Sequence, residues 1–228
     1  MDSERRRRLA REVLDGYFSG PDAQLAATAT ALATIESARC VVVVEGISDQ
    51  IALDALAARC GRDLGAEGVV IVPVGGAHAI TRYLVRFGPE GAGLAVTGMC
   101  DAGEEDIVRR ALELSGFGTP QNRAEMEDFG FFVCVKDLED ELIRASSRDA
   151  IKTLLESQGD LPAFLTLQQQ PAWREQAFDA QMHRWLRAGS RRNLRYARLL
   201  VDALDLNQIP RPLEALMAAT TILTGHAL

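Results

Sequence analysis

Residues 41–49 read Val41-Val42-Val43-Val44-Glu45-Gly46-Ile47-Ser48-Asp49. Four consecutive β-branched residues with no polar alternation describe a short strand covered on both faces, the habit of a parallel sheet. Glu45 and Gly46 end that strand at once, and the residues from Ser48 to Arg59 recur with helical spacing. A buried strand running directly into an amphipathic helix is the first half of a βαβ unit.

The same alternation repeats. Strand-like runs stand at Val41–Val44, Val69–Val72, Leu94–Thr97 and Gly130–Val135. Helical spacing follows each, over Ser48–Arg59, Ala77–Phe87, Glu104–Leu114 and Leu138–Ala145. The expected fold is therefore an α/β, four-stranded parallel sheet flanked by helices. Ahead of it, residues 4–18 and a stretch from Asp22, its expected cap, to about Ala38 read as two helices. Behind it, residues 147–158, 163–169, 174–187, 190–204 and 212–224 read as helices separated by Gly and Pro. The expected division is an N-terminal helical segment at 1–38, an α/β domain at 39–146 and an all-helical extension at 147–228.

The bulk composition narrows the class. Of 228 residues, 47% are hydrophobic and 25% charged, enough for a core and too apolar for disorder. Neither a transmembrane run nor a signal peptide is read, so a cytoplasmic protein without a membrane partner is expected. Cys40, Cys60, Cys100 and Cys134 are scattered, with no paired spacing for zinc or a disulfide framework, and are expected to be small buried hydrophobes. The net charge is -7, but unevenly spread: residues 161–228 carry +3 and the first 160 carry -10.

Ligands of open parallel sheets bind beyond the carboxyl ends of the strands. Strand one delivers Glu45 and Asp49 there, strand three Asp101, Glu104 and Glu105, and strand four Lys136, Asp137 and Glu139. Each of Ser48 or Asp49, Asp101 and Asp137 has an ordinary reading as a helix cap. Glu45 lies too early for that. Taken together, carboxylates from three strands on one rim repel one another unless a cation neutralises them. Oxygen ligands of this kind suit Mg²⁺, or Mn²⁺, and two such ions can support in-line phosphoryl displacement.

The segment Val44-Glu45-Gly46-Ile47-Ser48-Asp49 resembles the V-E-G-x-[ST]-[DE] signature of the Toprim domain, in the form typical of the overcoming-lysogenisation-defect (OLD) family of nucleases. Val74-Gly75-Gly76 after strand two and Asp137-Leu138-Glu139 after strand four resemble the same family, over about residues 40–145. The resemblance implies a Mg²⁺-dependent endonuclease acting on DNA. Glu45 takes the place of the Toprim glutamate, Asp49 of its acidic companion, Asp101 of the first Asp of D-x-D, and Glu139 of the late acid. Gly103 stands where the second Asp belongs, leaving Glu104 or Glu105 to reach the same ion. Glu45 and Asp101 are thus candidates for both catalysis and metal ligation; Asp49, Glu104, Glu105 and Glu139 complete the ligand set. OLD nucleases carry an ATPase, and no G-x-x-x-x-G-K-[ST] loop occurs in these residues, so a separate ATPase subunit is the implied partner.

Three further features carry expectations. Lys136 is one of two lysines and could steady phosphate charge as a catalytic group, or pair with Asp137 or Glu139. His78 in the Gly-Gly loop reads as a solvated residue that could also face the site. Arg184, Arg187, Arg191, Arg192, Arg195 and Arg198, interleaved with Trp185 and Tyr196, form a basic helical stripe suited to nucleic-acid backbone, or a solvated face over core aromatics. Nucleic acid is the expected partner, with a second copy of the chain also compatible. Two rivals stand beside the nuclease. One is a degenerate Toprim module that binds nucleic acid or nucleotide without turnover inside a DNA repair or defence complex, favoured by Gly103. The other is a receiver-type phosphotransfer protein, disfavoured because strand one offers a single acid.

Overall fold

The structure is a computed structural model, and it describes residues 8, 9 and 11–225. Four strands, β1 (Cys40–Val44), β2 (Val69–Pro73), β3 (Ala95–Cys100) and β4 (Phe131–Val133), form one all-parallel sheet in the order β2-β1-β3-β4. All five residues of β1 are buried, as its unbroken apolar run requires. β3 runs three residues past Thr97, the end the spacing suggests. Gly98 admits this: a Cβ there would lie 2.6 Å from the Val43 carbonyl oxygen, so only glycine lets β1 approach so closely.

Helices α1 (Ala23–Ala33), α2 (Ile47–Arg59), α3 (Ile80–Phe87), α4 (Glu105–Leu114), α5 (Arg123–Asp128) and α6 (Leu138–Ala145) accompany the sheet. α5 has no counterpart in the sequence reading. It is six residues long, too short for periodicity to declare, and is set by Asn122, whose side chain accepts from the Glu125 amide. The second N-terminal helix stops at Ala33 and continues as a 3₁₀ turn, and the Asp22 side chain does not cap it. Of the first helix expected over residues 4–18, residues 4–7 and 10 lie outside the described residues; residues 8, 9 and 11–13 are helical.

The helices beyond residue 146 are α7 (Arg148–Ser157), α8 (Leu161–Gln168), α9 (Phe178–Arg187), α10 (Ser190–Ala203) and α11 (Arg211–Thr224). They pack into the same apolar cluster as one face of the sheet: Val42, Val44 and Leu56 share it with Trp185, Tyr196, Leu200 and Leu213. Phe164, Trp185 and Tyr196 meet edge to face at its centre. The two aromatics of the basic stretch are therefore core. Polar ties reinforce the junction: Arg59 donates to the Val201 and Leu204 carbonyls, and Arg62 to that of Met217. Of the cysteines, Cys40, Cys100 and Cys134 are buried, but Cys60 is exposed at the end of α2. Among the described residues, no helix is long and apolar enough to cross a membrane.

Candidate metal centre

Chain order changes direction between β1 and β3, since β1 leads outward to β2 on one side and the chain returns on the other. That switch point opens a crevice at the carboxyl edge. Glu45 lies two residues beyond Val43 and Asp101 three beyond Gly98, and Val43 and Gly98 are directly paired. Backbone bonds continue past the strands and hold both rims. The Glu45 carbonyl accepts from the Gly75 and Gly76 amides at 3.0 and 3.1 Å, and the Ala102 amide donates to Lys136 at 2.9 Å. Gly75 and Gly76 make the first contact by adopting φ of 83° and 103°, accessible mainly to glycine.

A cavity of about 310 Å³ results, lined by Glu45, Asp49, Asp101, Glu139, Arg187 and Asn193 among others. Four of the expected ligands thus meet in one place. The Glu45 Oε2 atom is buried with no hydrogen-bond partner. Among the described residues no hydrogen bond reaches the Asp101 carboxylate, so it is not the helix cap its position allowed. Asp49 does serve a capping role, its Oδ2 accepting from the Gly46 amide at 2.8 Å.

The electrostatics follow from this crowding. Burial, then repulsion from Glu104 and Glu139, raises the Glu45 carboxyl. Burial pushes Asp49 up to about 7 against the Gly46 hydrogen bond. Asp101 is pushed up to about 8, by burial and then by Asp49 and Glu45. Three carboxyls held above their ordinary range, one with an orphaned buried oxygen, are a donor set that a hard divalent cation would satisfy.

Asp137 behaves differently. Burial raises its carboxyl, but hydrogen bonds from His183 and the Asp140 amide, with the nearby Arg187 charge, leave it lowered overall. Its Oδ1 caps α6 at 2.9 Å from the Asp140 amide. Its Oδ2 accepts from His183 Nε2 at 2.6 Å and Arg187 Nη1 at 2.9 Å. The Lys136 ammonium lies 3.3 Å from His183 Nδ1; it has only hydrogens to offer, so Nδ1 accepts and Nε2 donates. Asp137, Glu139 and His183 each offer a ligand atom within 4.8 Å of the others. A cation there would compete with Arg187 for Asp137. His183 is the residue that sequence reasoning missed. It lies 46 residues from Asp137, and no local spacing announces it.

Several expected site residues stand elsewhere. Glu105 is ion-paired with Arg123 at 2.7 Å, which takes it out of the ligand set. Glu104 does not line the cavity, although its charge acts on Glu45. Lys136 is exposed, does not line the cavity, and engages His183 instead of Asp137 or Glu139. His78 is exposed and outside the cavity lining.

The basic stripe does not form one face, because Gly189 breaks α9 from α10 and turns the later residues inward. Arg195 is buried and ion-paired to Asp160, which also accepts from Tyr196 at 3.0 Å. Arg192 folds over the Trp185 ring at 4.1 Å and donates to the Trp185 carbonyl. Arg198 pairs with Asp202 at 3.2 Å. Arg184, Arg187 and Arg191 remain exposed, and Arg187 alone of them lines the acidic cavity.

Residues 38–101 match the family model described as overcoming lysogenization defect protein-like, TOPRIM domain. The C-terminal region of the Xanthomonas campestris pv. campestris OLD protein has a similar fold, with a TM-score of 0.66 at 22% identity over 84% of this chain and 96% of that one. The C-terminal region of the Burkholderia pseudomallei OLD protein aligns with a TM-score of 0.62 at 17% identity, covering 82% and 98% of the two chains. No curated protein sequence matches the chain significantly. The fold, helical extension included, is that of the OLD C-terminal region.

Proposed function

We propose that this OLD-like Toprim fold is a Mg²⁺-dependent phosphodiester hydrolase acting on DNA, with Glu45, Asp49, Asp101 and Glu139 as its ion ligands. The observation that carries the reading is the convergence of these four side chains on one cavity, with the Glu45 Oε2 atom buried and unbonded and Asp101 free of any cap. A bound divalent cation would polarise the scissile phosphate and lower the proton affinity of an attacking water.

The chain's own residues divide the remaining work. Arg187, lining the same cavity, supplies positive charge for the phosphate oxygens, and Asp137 fixes its guanidinium at 2.9 Å. In place of ligation, Glu45 alternatively serves as the general acid or base, its unbonded Oε2 taking the proton of the attacking water and returning one to the departing oxygen. Hydrolysis forms a phosphorus–oxygen bond to water and breaks one to the sugar oxygen, which leaves with that proton.

The binding-only reading has one observation in its favour. Gly103 brings no carboxylate, and of the two nearby substitutes Glu105 is bound to Arg123 and Glu104 does not line the cavity. Supercoiled plasmid incubated with Mg²⁺ or Mn²⁺ separates the two, run with the wild type beside Glu45→Ala and Asp101→Ala. Nicking or linearisation lost in both variants is expected. Cleavage that survives both belongs to a contaminant and removes the hydrolase reading. A wild type that binds Mn²⁺ and DNA without cutting establishes the binding module.

A further inference from the structure

A second cavity, of about 440 Å³, adjoins the acidic one. Gln24, Gly46, Ser48 and Asn193 line both, so the two are lobes of one space. Their characters differ. The first lobe is walled by carboxylates; the second is walled largely by Pro21, Ala23, Ile47 and Leu194, with a few polar groups between them. Apolar walls with a few convergent polar groups, at this size, are the usual make-up of a small-ligand pocket.

Beside the hydroxyls of Ser19, Ser48 and Ser190, the second lobe holds two side-chain acceptors awaiting donors. The Gln24 amide nitrogen is committed to the Pro73 carbonyl at 2.9 Å and to Thr28 Oγ1 at 3.2 Å. Its Oε1 is therefore the end left for the cavity, 3.9 Å from where a Cβ on Gly46 would stand. Asn193 Oδ1 is buried with no partner. At the edge, Arg191 is exposed, and no ion pair engages it among the described residues.

We propose that this lobe takes the unpaired nucleoside next to the scissile phosphate, so that the substrate is a single strand, a frayed end or an unstacked nucleotide. The inference rests on the hydrolase reading for the identity of the first lobe. A base has apolar faces for Pro21, Ile47 and Leu194, and its amino and ring N–H groups are the donors that Gln24 Oε1 and Asn193 Oδ1 lack. Arg191 meets the next phosphate. A base stacked and paired within a duplex cannot enter a recess of this kind, so the nucleotide must first leave the stack.

The test uses a short single-stranded DNA carrying one 2-aminopurine, with Ca²⁺ in place of Mg²⁺, titrated with the full chain. Binding is expected to be at least roughly tenfold tighter than for the same sequence as a blunt duplex, with a change in 2-aminopurine emission. An abasic residue at the same position should lose most of that preference. Ser190→Trp obstructs the second lobe from a position outside the acidic one; it should erase the preference while Mn²⁺ still raises the melting temperature as in the wild type. Ser19→Trp, at an exposed position that also lies outside the acidic lobe, provides a second variant if the first tryptophan disturbs folding. Equal affinity for single strand, duplex and abasic strand, in a protein that still binds Mn²⁺ and cuts plasmid, overturns the nucleoside lobe alone. Free nucleotide that saturates the lobe without competing with DNA also overturns it. Failure to bind either Mn²⁺ or DNA overturns both readings.

Discussion

Replacing Asp101 by asparagine should stabilise the metal-free protein while abolishing its response to metal. The Asp101 carboxyl is pushed from 3.8 up to about 8 by burial and then by Asp49 and Glu45. A carboxyl raised on folding holds its proton more tightly in the folded chain than in the unfolded one. Folded stability is therefore unaffected below the unfolded value and falls as pH rises towards 8. Near pH 7.5 the full displacement would correspond to roughly 5 kcal/mol. Asp101 keeps part of its surface in water, and screening reduces this to about 2 kcal/mol. Asparagine removes that penalty without changing shape, so Asp101→Asn should melt about 4–8 °C above the wild type in EDTA near pH 7.5. Near pH 4 the two proteins should melt together. Excess Mn²⁺ should raise the wild type and leave Asp101→Asn unmoved, because a ligand that binds only the folded state stabilises it by mass action. Thermal unfolding followed by circular dichroism reads both effects. A variant less stable than wild type in EDTA at neutral pH, or equally stabilised by Mn²⁺, refutes the electrostatic account of the rim.

Gly103→Asp should strengthen divalent-ion binding several-fold by isothermal titration, since a Cβ there meets nothing within 4 Å and the new carboxylate would face the same rim; an unchanged affinity would show that position 103 has no access to the ion. His183→Ala strips a 2.6 Å hydrogen bond from buried Asp137 and should lower stability by about 1–3 kcal/mol near neutral pH. Because the Asp137 carboxyl is lowered on folding, its stabilising contribution should fade as pH drops through the acid range, and with it the difference between the two proteins; a gap that stays constant down to about pH 3 would contradict that. Arg195→Met leaves Asp160 without its buried cation and should cost about 3–5 kcal/mol. Its DNA affinity should keep the wild-type salt dependence in a nitrocellulose-filter assay, whereas Arg191→Ala should flatten that dependence by about one ion; the reverse pattern would return Arg195 to the nucleic-acid face.

Strand and helix alternation between residues 40 and 145 was legible because burial on both faces of a parallel sheet leaves an unbroken apolar run, and Val41–Val44 needs no partner to declare itself. The acidic rim was legible for a related reason. Residues that follow a strand directly must emerge at its carboxyl edge, so Glu45, Asp101 and Glu139 were bound to share a side of the sheet. Which of them meet around one space was not contained in that rule. Strand order decides it: β1 and β3 are neighbours, so Glu45 and Asp101 flank a single crevice, while Glu105 turns along α4 to Arg123.

The helical extension marks the sharper boundary. Spacing of three and four residues placed Arg184 through Arg198 on one side of an ideal helix, yet the Gly189 break and the demand of buried Asp160 for a cation draw Arg195 into the core and leave Arg187 at the acids. His183 reaches Asp137 across 46 residues by the same packing. Local periodicity is written in each segment and can be read there. Which charged side chain answers which is a matter of desolvation and distance between segments, and those exist only once the helices have closed over the sheet.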